Sequence, residues 1–196
     1  MCIRDSYEQA LPLRRAVGDR MGEAATLTNI GAVWSDLGEK RRALEYYEQA
    51  LPLRRAVGDR VGDAATLNNI GAVWSDLGEK RRALDYYEQA LPLRRAVGDR
   101  MGEAATLNNI GAVLLDLGDT QRALGYYEQA LPLRRAIGDR VGEAISLKSL
   151  GDLHLRQNQF DEARAKYVAA LRLFEQIGSI EGQLSTLHGS AVLEIK

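Results

Sequence analysis

Apolar and small residues recur along the chain at helical spacing, and short glycine-centred polar segments interrupt them at regular intervals. Leu67, Ile70, Gly71, Trp74 and Leu77 follow the i, i+3, i+4, i+7 pattern of one helix face, and Ala83, Tyr86, Tyr87, Ala90 and Val97 follow it again. Between the two stripes lies Leu77-Gly78-Glu79, and before the first lies Val57-Gly58-Asp59. A glycine free to turn left-handed ends one helix in each case, and an acidic residue opens the next. The pattern predicts a helix A from Arg60 to Leu77 and a helix B from Glu79 to Val97. Small residues at Gly71, Ala83 and Ala90 let the helix axes approach closely, with Trp74 and Tyr87 filling the remaining space.

The same pair recurs. Residues 24–63 and 64–103 differ only at Thr28/Asn68, Glu45/Asp85, Val61/Met101 and Asp63/Glu103, so the repeat is 40 residues long. The units are 24–63, 64–103, 104–143 and a diverged 144–183, flanked by partial repeats at 7–23 (a helix B) and 184–196 (a helix A). Residues 1–6 break off mid-helix and read as a leader foreign to the repeat, with Cys2 given no role. At the far end Ser190 and Glu194 replace apolar or core columns, and the chain reads as a piece of a longer array whose uncapped ends would fray or associate end to end. The prolines, Pro12, Pro52, Pro92 and Pro132, share one column inside helix B. Because a proline there removes a backbone hydrogen bond, a local bend facing outward is expected.

Leu-x-x-Ile-Gly-x-x-Trp followed by Ala-x-x-x-Tyr-x-x-Ala after a glycine turn resembles the tetratricopeptide repeat, over essentially residues 7–196. The usual unit is about 34 residues. The longer unit here is similar to those of kinesin light chains, LGN-type polarity scaffolds and bacterial regulatory proteins. The resemblance implies an all-α fold, an α-solenoid wound as a right-handed superhelix of antiparallel helix pairs. It also implies that the A helices line a concave groove that binds proteins or peptides.

Composition narrows the function. Twenty-six basic and 27 acidic residues leave a net charge of -1, which removes the electrostatic footprint of a nucleic-acid or anionic-membrane binder. A single cysteine and two histidines exclude a disulfide framework and leave no metal-ligating set. A cytoplasmic location fits these features. No phosphate loop, His-Glu-x-x-His or nucleophile–base set is present, so neither an enzyme nor a cofactor is expected. His154 occupies the column of Trp34 and Trp74 and is expected to pack.

The face of helix A opposite its apolar stripe carries the candidate site. At about 100° per residue it presents Ala65, Asn69, Ala72 and Asp76, with Asn68 on the flank. Asn29 with Asp36, and Asn108, Asn109 with Asp116, are the equivalents. An amide both donates to and accepts from a peptide backbone, whereas the aspartate row favours Lys or Arg on the ligand, so a basic peptide is the expected partner. The fourth unit changes this face to Ile145, Lys148, Ser149, Asp152 and Arg156, and Lys148 and Arg156 would meet an acidic group there. A chaperone-type carboxylate clamp is disfavoured, because Ala105 and Ile145 stand where a basic residue is wanted. Arg54, Arg94 and Arg134 fall within the apolar stripe of helix B, and Asp63, Glu103 and Glu143 are their expected partners; Lys40-Arg41-Arg42 reads as solvated charge. These features describe an interaction scaffold; the alternative is a sensory segment of a larger signalling protein whose catalytic domain lies outside this chain.

Overall fold

The computed structural model describes residues 3–191, so Cys2 and Glu194 lie outside the described residues. The described chain is helical from end to end: α1 (Ile3–Ala16), α2 (Arg20–Asp36), α3 (Lys40–Ala56), α4 (Arg60–Asp76), α5 (Lys80–Val97), α6 (Arg100–Asp116), α7 (Thr120–Ala136), α8 (Arg140–Arg156), α9 (Phe160–Gln176) and α10 (Ile180–Ala191). Even-numbered helices are the A helices of the repeat and odd-numbered ones the B helices, and no strand occurs among the described residues. This is an all-α solenoid of successive packed helix pairs. The expected helix boundaries for α4 and α5 are met to within a residue.

Two compact units, residues 1–99 and 100–196, divide the chain. In the first, α2 packs on α3, α3 on α4 and α4 on α5, and α2 also touches α4. In the second, α6, α8 and α10 follow one another in the same way, with α7 and α9 packed between. Within each unit A helices touch A helices while no B helix touches another among the described residues, which makes the A layer the tighter one.

The core follows the two stripes, with corrections at their ends. Leu67, Ile70, Ala83, Tyr87 and Ala90 are buried. Leu77 and Val97, assigned to the stripes, are 40% and 37% exposed because each sits at the end of its helix, where the neighbouring helix has diverged. Val73, which the stripe omits, is buried and joins Ala43, Leu44, Tyr47 and Ile70 in one cluster. Each core tyrosine lies on a glycine of its own helix A. A Cβ built on Gly71 would stand 2.7 Å from Cε1 of Tyr87, so no larger residue fits without moving the ring. Helix ends turn through glycines with φ near +70° to +84°, and Asn158, φ 59°, takes that place in the fourth repeat. The four prolines lie on solvent-exposed positions of unbroken helices.

Candidate functional site

In the first unit the face formed by α2 and α4 carries Asn29 and Asp36, both exposed, with Asn69 and Asn68 half-buried and Asp76 exposed. Asp76 takes an ion pair from Lys40 Nζ, which also donates to Ser35 Oγ at 3.1 Å. Lys40 is therefore not the free solvated charge expected of the Lys-Arg-Arg run. Its neighbour Arg42 lies over the Trp34 ring at 4.6 Å, as Arg82 lies over Trp74 at 4.7 Å. Beneath this face, burial pushes the Tyr47 phenol up to about 12, with the Asp36 charge adding to it.

In the second unit Asn109 is half-buried on α6 and Asp116 is exposed at its end. Asn108 has turned away from the solvent face: it is 9% exposed, and its Oδ1 accepts from Ser146 Oγ of α8 at 3.2 Å. The equivalent contact of the first unit is a hydroxyl pair, Thr28 with Thr66 at 3.4 Å. Polar residues in this column tie one A helix to the next.

Lys148 and Arg156, the basic end of the candidate face, are both engaged. Lys148 Nζ lies 2.9 Å from Asp152 Oδ2, Arg156 Nη1 donates to the Leu115 carbonyl at 3.0 Å, and its Nη2 is 3.9 Å from Asp116. Between α6, α8 and α10 this face holds a cavity of about 370 Å³, lined among others by Asp116, Ser149, Asp152, Arg156 and His188. Its floor includes Tyr127 and Tyr167, which the pattern read only as core. Tyr167 donates to Asp152 Oδ1 at 2.7 Å, and burial followed by this carboxylate raises its phenol. Burial raises Tyr127 as well, with Ser149 bonding it and Asp152 and Asp116 nearby. Helical spacing could not reveal that helix B tyrosines reach through to the A face, although the glycine facing each ring was a visible sign of that depth. His154 is half-buried and bonds Gln159 Oε1 through Nδ1 at 2.6 Å.

The stripe arginines pair differently from expectation. Arg54 and Arg134 each bind the aspartate that caps the following helix, Asp59 and Asp139, through Nη1, and Arg94 binds Asp99 through the same atom. The acids expected for them belong to the next arginine along: Arg55 meets Asp63 at 3.2 Å and Arg135 meets Glu143 at 2.7 Å. The turn folds back within five residues, which brings the cap rather than the first helical turn over the buried guanidinium. Arg54 also donates from Nη2 to Thr28 Oγ1 at 3.2 Å. Asp139 is held below the usual carboxylate range: burial alone would raise it, but the Gly142 N–H and Arg134 outweigh that.

No group of three or more His, Cys, Asp or Glu side chains that could hold a metal occurs among the described residues. None of the described helices is long and apolar enough to cross a membrane.

Comparison with known proteins bears on the fold. BtubC from P. vanneervenii superposes with a TM-score of 0.75 at 17% identity, covering 98% of this chain and 89% of that one. A Rap protein complexed with Competence and Sporulation Factor gives 0.82 at 19% identity over 93% of this chain and 51% of that one. A STAND protein with a tetratricopeptide repeat sensor from Pyrococcus horikoshii gives 0.82 at 19%, over 96% of this chain and 30% of that one. The chain thus spans about half the length of the Rap protein and under a third of the STAND protein. Comparison with curated proteins gives no match. The family model described as tetratricopeptide repeat matches residues 3–56, 43–96 and 102–176, most of the chain, and on that ground the chain belongs to the tetratricopeptide repeat family.

Proposed function

We propose that this chain is a protein-interaction scaffold that binds an extended peptide or a partner helix along its A-helix face. The observation that carries the reading is the cavity between α6, α8 and α10, where phenols, carboxylates, a serine and an arginine converge on one open face without forming a catalytic set. Asn29, Asn69 and Asn109 supply backbone contacts, with Asn68 beside them and Asn108 serving chiefly between helices. Asp36, Asp76 and Asp116 favour a cationic side chain on the ligand, and Lys148 and Arg156 meet an acidic one. The work is recognition rather than turnover, in the cytoplasm, and end-to-end association of copies belongs to the same reading. A peptide-array screen tests it. Binders should weaken when Asn69 and Asn109 are changed to Ala, and binding left unchanged by both substitutions would sink the role given to the asparagines.

The similarity to a protein whose tetratricopeptide repeats form a sensor favours a second reading, in which the array senses a ligand for a larger signalling protein. Sequencing the complete reading frame separates the two: an adjoining kinase, protease or nucleotide-hydrolysing region supports the sensor.

A further inference from the structure

The last helix junction of the second unit differs from the others in its side chains and borders a second cavity. At the α3–α4 junction, the space over Gly62 is filled by the Arg54–Asp59 ion pair, with Thr28 bonded to the guanidinium. The α7–α8 junction repeats the ion pair as Arg134–Asp139 over Gly142. At the α9–α10 junction Phe174 replaces the arginine and Ser179 the aspartate, while Lys148 stands in the column of Thr28 and Ile145 in that of Ala25 and Ala65. An uncharged ring now lies where a charged fork lay. A cavity of about 440 Å³ lies beside it, lined by Val141, Ile145, Phe174, Ser149, Ser179 and Ser185, with Lys148, Glu181 and Gly182 completing it. Its volume is within the range of about 300–1,000 Å³ that ligand pockets occupy.

The lining defines the ligand. Phe174 is 4% exposed, whereas Val141 and Ile145 are 50% and 41% exposed, so apolar surface is presented to whatever enters. The one cation, Lys148, is already held by Asp152, and the Glu181 carboxylate is exposed to solvent, where an ion pair contributes little, so a charged side chain gains little here. Serine hydroxyls on α8 and α10 both donate and accept, which suits a peptide backbone. We infer that this cavity is the anchoring pocket of the scaffold, taking one bulky uncharged apolar side chain of an extended peptide; the inference rests on the peptide-binding reading above. Ser149 lines both this cavity and the polar one between α6, α8 and α10, so the residue next to the anchor would enter the polar cavity.

The test separates the pocket from the groove. The full chain, labelled with nitrogen-15, is titrated with N-acetyl-leucinamide and N-acetyl-phenylalaninamide, and with the alanine and lysine analogues as controls. The two bulky probes should shift the amides of Ile145, Ser149, Gly182 and Ser185, and the controls should not. Phe174→Arg combined with Ser179→Asp restores the pair that other junctions carry and replaces the apolar wall of the pocket with a charged one, which should weaken the bulky probes roughly tenfold or more. Ile145→Ala, on an exposed position, should weaken them less and serves if the double variant fails to fold. Equal shifts from the alanine analogue, shifts centred elsewhere, or probe affinity unmoved by these variants would overturn the pocket. An array of randomised extended peptides completes the test. Binders whose affinity ignores Phe174→Arg/Ser179→Asp overturn the pocket and leave the groove reading standing. Leucinamide shifts in the absence of any array binder show that the cavity takes an apolar group but overturn the groove reading and, with it, the anchoring role.

Discussion

The α3–α4 and α9–α10 junctions follow one backbone path with opposite chemistry above it. Both turn through a left-handed glycine, Gly58 at φ 71° and Gly178 at φ 70°. Each then opens the next helix with a side-chain oxygen accepting from a glycine amide: Asp59 Oδ1 from Gly62 at 2.9 Å, and Ser179 Oγ from Gly182 at 3.2 Å. A Cβ built on Gly62 would stand 1.8 Å from Arg54 Nη1, and one on Gly182 would stand 2.2 Å from Phe174 Cδ1. The turn, the cap and the bare glycine are therefore common to both junctions, and the ion pair is not. What the glycine keeps open is a volume, and that volume accepts either a salt-bridged arginine or a phenyl ring. A buried pair exchanged whole for an apolar group costs little, whereas half of one left behind costs much.

That asymmetry gives the largest predicted effect. Asp59→Ala leaves Arg54 buried, with its Nε already lacking a partner, and should destabilise by about 3–5 kcal/mol in urea unfolding. Ser179→Ala removes only a cap and should cost about 1 kcal/mol. Equal costs would break the comparison. A smaller effect is expected when the first junction is converted into the last. Arg54→Phe with Asp59→Ser should stay within about 1 kcal/mol of the parent, because the ring and the serine already serve together elsewhere in the chain. Thr28 is not stranded by the change, since its hydroxyl keeps the Ala24 carbonyl at 2.9 Å. The two substitutions should then be non-additive by about 2 kcal/mol or more, and additivity in a double-mutant cycle would mean that the pair is not a unit.

Much of this was legible beforehand, because the periodic stripes, the glycine turns and the acidic caps each depend on local geometry. The pairing of the arginines was not. Arg54 and Arg55 face two acids, Asp59 and Asp63, and the sequence alone allows either assignment. The fold decides it, because Arg54 is buried beside the turn and Arg55 points out toward the next helix. Asn108 was misplaced for a related reason. A helical wheel puts it on the flank of the open face, but the wheel cannot see α8, whose Ser146 packs against it. Lys40 reaches Asp76, 36 residues away, for the same reason: contacts between successive repeats are invisible to any single helix. The cavity beside Phe174 is lined at three columns that have changed, Ile145, Phe174 and Ser179. Each change was visible in the alignment of the repeats, but only the folded junction shows that they border one space.

Acid sharpens the comparison more gently. The Asp139 carboxyl is held below its usual value of 3.8, so the stability it contributes is present above that value and is lost as pH falls through the lower folded one. Ser179 has no proton to gain in this range. Followed by carbon-13 shift of its own carboxyl group, Asp139 should titrate with a midpoint below 3.8. A midpoint above 3.8 would remove the distinction.

The smallest effect comes from Ser179→Asp alone. Aspartate and serine cap helices about equally well, and a carboxylate at the start of α10 gains from the helix dipole, so the change should stabilise by about 0.5 kcal/mol or less. No arginine is present to bind it, since Phe174 holds that place. If Phe174→Arg is introduced first, the same substitution supplies a partner for a newly buried guanidinium, and its benefit should rise to about 2 kcal/mol or more. A benefit that stayed small in both backgrounds would mean that the arginine at this junction finds its own route to solvent. The ion pairs of the other junctions would then be a consequence of where those arginines happen to lie, and the glycine and the cap alone would define the turn.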